Sequence, residues 1–133
     1  MRQPGDAWRL APSHNSKNLI KLDITHKTGK YGLQVRVYRK SGQDFAEFVK
    51  GYIAAFQKDM DNPEIIDQKD FAGDGVAGKA VSFDGQKRNG YYLKSYIFPG
   101  EKFFYALQGG CPFADKDILE SELDEIAASF KPL

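Results

Sequence analysis

The chain has one cysteine, two histidines and no long apolar run, and each shortage removes a class of function. A single thiol cannot close an internal disulfide, so cysteine usage leaves the redox compartment open. Two histidines and one cysteine, all widely separated, make no metal-ligand cluster. Nowhere do the roughly 20 successive apolar residues of a membrane span occur. The opening MRQPGDAWRLAPSHNSKN carries charge but lacks the apolar stretch of a signal peptide. Two readings follow: a cytoplasmic protein, or an exported one whose leader has been removed. Charge of one sign is missing as well. Nineteen Lys and Arg stand against 18 Asp and Glu, which argues against nucleic-acid binding, where concentrated positive charge carries the affinity.

Aromatic residues are abundant: ten Phe, seven Tyr and one Trp in 133 residues. A chain of this length is one domain with room for a sizeable core. Residues 1–17, with Pro4, Gly5, Pro12, Ser13, Asn15 and Ser16, are expected to form an irregular lead-in that Trp8 and Leu10 tack onto the body. The domain proper is expected over 18–133. Ile20, Leu22 and Ile24 alternate with polar residues, as do Leu33, Val35 and Val37 after HKTGK, which predicts a β-hairpin turning at Gly29. The period then becomes helical. Phe45, Phe48, Val49, Tyr52, Ile53 and Phe56 form one apolar stripe. Ser41 with Asp44 resembles a capping box, and Asn62-Pro63 marks the stop.

Four strands are predicted near 64–71, 76–84, 90–98 and 102–109. Phe98-Pro99-Gly100-Glu101 suits a type II turn, and a looser turn carries Lys87 and Arg88. A second helix places Ile118, Leu119, Leu123, Ile126, Ala127 and Phe130 on one side. Its acids Asp115 and Asp117 sit at the N-terminal end and Lys131 at the C-terminal end, as the helix dipole favours, and Pro132 closes it. The order ββ-α-ββββ-α predicts an α+β domain: a mostly antiparallel sheet of about six strands between amphipathic helices, an α/β/α sandwich.

FAGDGVAGKAVSF, residues 71–83, satisfies G-x-G-x-x-G and nearly matches a phosphate-binding loop. Both motifs work only where a helix begins directly after the glycines. Here Ala80, Val81, Ser82 and Phe83 predict a strand, Ala80 replaces the magnesium-binding hydroxyl, and Asp74 would face the anion. No crossover helix follows before Tyr91. The segment is therefore expected to be a turn from Gly73 to Gly75 leading into a strand, with Gly78 where a neighbour comes close.

Cys111 is the one candidate thiol nucleophile. Asp115 and Asp117 oppose a thiolate, spacing favours no pairing with His14 or His26, and a packed small residue is the expected role. Asp115-Lys116-Asp117 starts like a calcium loop, but Glu120 stands where glycine is required. Glu120, Asp124 and Glu125 are expected on a solvated helix face. No acid lies alone in an apolar run of the kind that raises a catalytic pKa. These readings predict no catalytic residue, no cofactor and no metal.

The aromatic hairpin is the strongest functional candidate. Tyr92, Tyr96 and Phe98 share a face with Lys94, while Tyr91, Leu93 and Ile97 share the other. On the partner strand Phe103, Tyr105 and Leu107 oppose Phe104 and Ala106. Neither face is polar, so either helices cover both or one is a tyrosine-rich binding surface. In the second case Tyr92, Tyr96 and Phe98 contact the partner.

VRVYRKSGQDFAEFVKGYIAAFQ, GKAVSFDGQKRNGYYLKSYIFPGEKFFYALQGG and ILESELDEIAASF together resemble the PsbP-like and DcrB-like domains. The shared features are a hairpin, a helix begun by Phe, a G-x-A strand, an aromatic hairpin and a terminal helix ending Ser129-Phe130, over about residues 18–131. The resemblance implies an antiparallel sheet flanked by helices and a mostly non-enzymatic role. Such domains include extrinsic photosystem II subunits, a nuclear-transport factor that binds the small GTPase Ran, bacterial envelope lipoproteins, and chaperones cradling hydrophobic segments of secreted effectors. DAWRLAPSHNSKN departs from the aromatic-Pro-Trp lead-in of the photosystem branch. The resemblance thus implies a bacterial accessory domain that binds a protein partner or apolar peptide segment, in the periplasm or envelope with its leader removed. The alternative it leaves is a cytoplasmic chaperone for a type VI-like effector, acting as a homodimer. A Cys111-dependent enzyme is the third reading.

Overall fold

The computed structural model describes the backbone of residues 8–11, 19–26, 32–85 and 90–131, and the side chains of 32–85 and 90–131. Seven strands and two helices follow in the order β1 (Trp8–Ala11), β2 (Leu19–His26), β3 (Gly32–Arg39), α1 (Phe45–Asp59), β4 (Glu64–Ala72), β5 (Ala77–Gly85), β6 (Tyr91–Pro99), β7 (Phe103–Pro112) and α2 (Lys116–Ala128), with a 3-10 turn over Phe113–Asp115 before α2. Among the described residues one antiparallel sheet contains these seven strands, ordered β1-β2-β3-β7-β6-β5-β4. The α+β class stands, with one strand beyond the expected six. The addition is β1, which pairs with β2 from within the segment expected to be irregular. Gly29, Lys87, Arg88 and Pro132, His14, and the side chains of Trp8, Leu10, Ile20, Leu22, Ile24 and His26, lie outside the described residues.

Strand alternation sends successive side chains to opposite faces, and each face has its own helix. Under α2 lie Leu33, Ala80, Tyr92, Tyr96, Phe98, Tyr105, Leu107 and Cys111. Under α1 lie Val81, Phe83, Ile97, Phe104 and Ala106. The predicted apolar stripe of α1 is what packs: Phe48 stacks on Phe104 at 4.3 Å and Phe56 on Phe83 at 4.5 Å between ring centroids. Asp44 itself caps α1, accepting from the Glu47 N–H at 2.8 Å, while the Ser41 hydroxyl turns to Gln43. Past the helix, Asp61 and Asn62 take left-handed φ angles of 64° and 54° before Pro63.

Two local expectations change. The β6–β7 hairpin forms, but Gly100 lacks the positive φ of a type II turn, and its N–H donates to the Phe103 carbonyl at 2.8 Å. Ile118 is exposed, because the buried stripe of α2 is Leu119, Leu123, Ile126 and Ala127. The glycine-rich segment behaves as expected. Gly73 donates to the Val76 carbonyl at 2.8 Å, Gly75 has φ of 75°, and a strand follows. At Gly78 an added Cβ would overlap the Ile97 carbonyl and lie 2.5 Å from Phe98 Cδ1. Close approach, not phosphate binding, explains that glycine.

Candidate functional site

Tyr92, Tyr96 and Phe98 do share one face, and that face is covered. They are 2, 0 and 0% exposed beneath α2, with Phe98 stacked on Phe130 at 4.6 Å. A partner cannot reach them while α2 is in place, because two residues per strand turn put them all where the helix docks. Of the two arrangements open to the hairpin, the structure has helices on both faces. Gly109 makes the close docking possible, since a Cβ there would overlap the Leu123 side chain.

Lys94 lies between the two tyrosines and is 1% exposed. Its ammonium is 3.1 Å from Asp124 and 3.5 Å from Glu120. The Tyr96 hydroxyl donates to Asp124, and the Tyr92 hydroxyl donates to Glu120 and shares a 3.0 Å hydrogen bond with Ser82 Oγ. Burial, then hydrogen bonding to the carboxylates, holds both phenols protonated well above the usual tyrosine range. Glu120 and Asp124 therefore do not belong to a merely solvated helix face. They are the counter-charges that let a lysine be buried, since an unpaired ammonium there would be very costly.

Cys111 is fully buried, and burial followed by the Asp115 carboxylate pushes its thiol up from 9.0 to about 12. It remains a neutral, enclosed thiol at physiological pH, the opposite of an activated nucleophile. Among the described residues, no group of three His, Cys, Asp or Glu side chains could hold a metal ion, and no helix is long and apolar enough to cross a membrane.

The other face has an opening. Helix α1 covers β5, β6 and β7 but leaves the polar side of β3 half-buried, and between them lies a cavity of about 540 Å³. Strand β3 contributes Gln34, Arg36 and Tyr38 to its lining, and β7 contributes Gln108. The α1 wall includes Tyr52, Ala55, Phe56 and Met60, with Leu93 below. Arg36 Nε donates to Gln34 Oε1 at 3.2 Å and its Nη1 to the Tyr38 hydroxyl at 3.4 Å. Tyr52 and Ser95 share a buried 3.0 Å hydrogen bond, and burial raises the Tyr52 phenol above its ordinary range. Gln108 is 8% exposed, and its Oε1 has no hydrogen-bond partner among the described residues. The site combines an apolar wall, a guanidinium and a buried amide, a composition suited to holding a ligand.

Sequence reasoning passes over this site because Gln34, Arg36 and Gln108 look like the wet side of their strands. Only the non-local pairing of β3 with β7 brings Gln34 opposite Gln108.

No family model matches the chain, and no curated protein matches its sequence. Its fold does have a solved counterpart. The solution structure of cyanobacterial PsbP (CyanoP) from Synechocystis sp. PCC 6803 matches with a TM-score of 0.70, over 96% of this chain and 83% of that chain, at 10% identity. At that identity the likeness is one of architecture, and the chain has a PsbP-like fold.

Proposed function

We propose that this chain is a non-catalytic binding domain that captures an apolar segment of a protein partner in the cavity beside α1. The observation that carries the reading is the contrast between that opening and the closed α2 face, where the aromatic residues are committed to the core. The cavity volume falls in the ordinary range for ligand sites, about 300–1,000 Å³. Its described lining residues include no thiol, histidine or serine hydroxyl, so binding suits it better than covalent chemistry. The PsbP-like fold supports an accessory role. An envelope lipoprotein of the DcrB-like kind fits this reading.

A cytoplasmic chaperone for a secreted effector is the second reading. The feature in its favour is β4, an edge strand exposed along nearly its whole length, with Ile65 and Ile66 43 and 51% exposed. A free strand edge with apolar side chains suits pairing with a second copy. Recognition through Tyr92, Tyr96 and Phe98 would require α2 to leave the sheet.

Filling the cavity tests the proposal. Ala55 is exposed at its rim, so Ala55→Trp should block entry with little effect on folding. Partner capture by the tagged protein, followed by mass spectrometry, is expected to disappear in Ala55→Trp with an unchanged melting temperature. Retention of the same partner by that variant would rule the cavity out.

A further inference from the structure

The ligand class follows from the charges in the cavity, given that the cavity is the binding site. Arg36 has five N–H donors, and the two engaged among the described residues go to neutral oxygens of Gln34 and Tyr38. Among the described residues, no carboxylate lies within ion-pair distance of its guanidinium. A half-buried guanidinium with donors left over among the described residues, beside an apolar wall, is built to receive a carboxylate, whose two oxygens match its planar fork. Gln108 supplies a second, independent sign. Its buried Oε1 lacks a partner among the described residues, and an acceptor left in that state gains by meeting a donor. The terminal amide torsion is soft, so turning it to meet a ligand N–H or O–H is favourable.

Arg36 lies beside Tyr38, which packs on Phe48 and Tyr52 in the first half of α1. Asp59, the last residue of α1, also lines the cavity. At Gly32 an added Cβ would meet nothing within 4 Å, which leaves space for a ligand body. We propose that the cavity binds a carboxylate carried on an apolar body, with the carboxylate on Arg36 and the body against Phe56, Met60 and Leu93. A partner's apolar C-terminal residue has this chemistry, and its backbone N–H is the donor that Gln108 Oε1 can accept from. A free medium-chain acid lacks that donor and is the outcome the test separates.

NMR titration of the isotope-labelled full chain decides the matter, using octanoate, octanamide and a short Leu-terminated peptide as free acid and as amide. The acids are expected to shift the amide signals of Gln34, Arg36, Tyr52 and Gly110 and to bind at least about tenfold more tightly than their neutral counterparts. Arg36→Gln should abolish that preference while leaving octanamide unaffected. Tighter binding of the peptide acid than of octanoate assigns the site to a protein C-terminus, and the reverse assigns it to a free acid. Equal binding of acid and amide, no binding by either, or an Arg36→Gln variant that still prefers the acid overturns the inference. If Ala55→Trp loses the partner while Arg36→Gln keeps it, the cavity stands and the carboxylate falls. Acid binding through Arg36 with capture unaffected by Ala55→Trp gives the converse.

Discussion

The two faces of the sheet are built from the same strands and meet their helices differently. On the α2 face every long side chain of β6 finds a partner: Tyr92 with Glu120, Lys94 with Glu120 and Asp124, Tyr96 with Asp124, Phe98 with Phe130. On the α1 face the helix seals β5 to β7 and meets β3 through Tyr38, leaving Arg36 with neutral partners and Gln108 Oε1 with none among the described residues. Charge is thus buried and closed on one side, half-buried and open on the other. Whether a polar strand residue serves stability or binding is decided by where the helix lies, not by the strand's composition.

The largest effects are expected where the closed face is opened. Glu120→Gln with Asp124→Asn removes both counter-charges and strands the Lys94 ammonium, which should cost roughly 3–5 kcal/mol in urea denaturation. Adding Lys94→Met should return most of that loss, because a thioether chain needs no counter-charge. A double variant losing less than about 1 kcal/mol would show that Lys94 is wet and that the contrast between the faces is false. Phe98→Ala should fall in a similar range, about 3–5 kcal/mol, through the cavity left against Phe71 and Phe130. Next comes Gly78→Ala. The overlap with the Ile97 carbonyl can be relieved only by moving backbone, and about 1–3 kcal/mol of destabilisation is expected.

Much of this was legible in the chain, for reasons of period. Phe45 to Phe56 repeat at helical spacing over about three turns, and Leu33, Val35 and Val37 alternate cleanly, so local pattern and tertiary burial agree. Strand β1 was not legible, because four residues, Trp8–Ala11, are too few to show alternation between prolines. The buried Lys94 left a faint signal. Glu120 and Asp124 are four apart on a helix, a rise of about 6 Å, and Tyr92, Lys94 and Tyr96 are spaced two apart on a strand, about 6.6 Å each step. Those rises match, so two acids can serve three strand residues. What the sequence did not contain was which helix face meets which strand. The cavity depends on that same missing information, since strand order alone sets Gln108 between Gln34 and Ser95.

Alkaline pH offers a graded test of closure. The Cys111 thiol is held up from 9.0 to about 12, and the Tyr92 and Tyr96 phenols are raised on the same face. A group whose folded pKa exceeds its unfolded value binds its proton more tightly when folded. Its stabilising contribution is then complete below the unfolded value and is lost as pH climbs towards the folded one. For Cys111 that window runs from about pH 9 to about 12. Melting temperature should be flat up to pH 9 and decline above it, and Cys111→Ala should decline less steeply. An identical slope in the variant would mean that the thiol is hydrated. Alkylation of Cys111 at neutral pH should likewise need denaturant.

The smallest stability effect is expected on the open face. Arg36→Gln removes a charge whose partners among the described residues are neutral and whose side chain is only half-buried. Its hydrogen bonds to Gln34 and Tyr38 are long, and solvent can replace them, so unfolding free energy should change by no more than about 0.5 kcal/mol. A loss as large as that of the Glu120 and Asp124 pair would mean that Arg36 is a structural ion, and β3 would then be as closed as β6. Near-neutral stability, measured in the same urea titrations, instead leaves the guanidinium's energy unspent within the fold. A charge that the fold does not need, placed at the mouth of a cavity, is one available to a ligand.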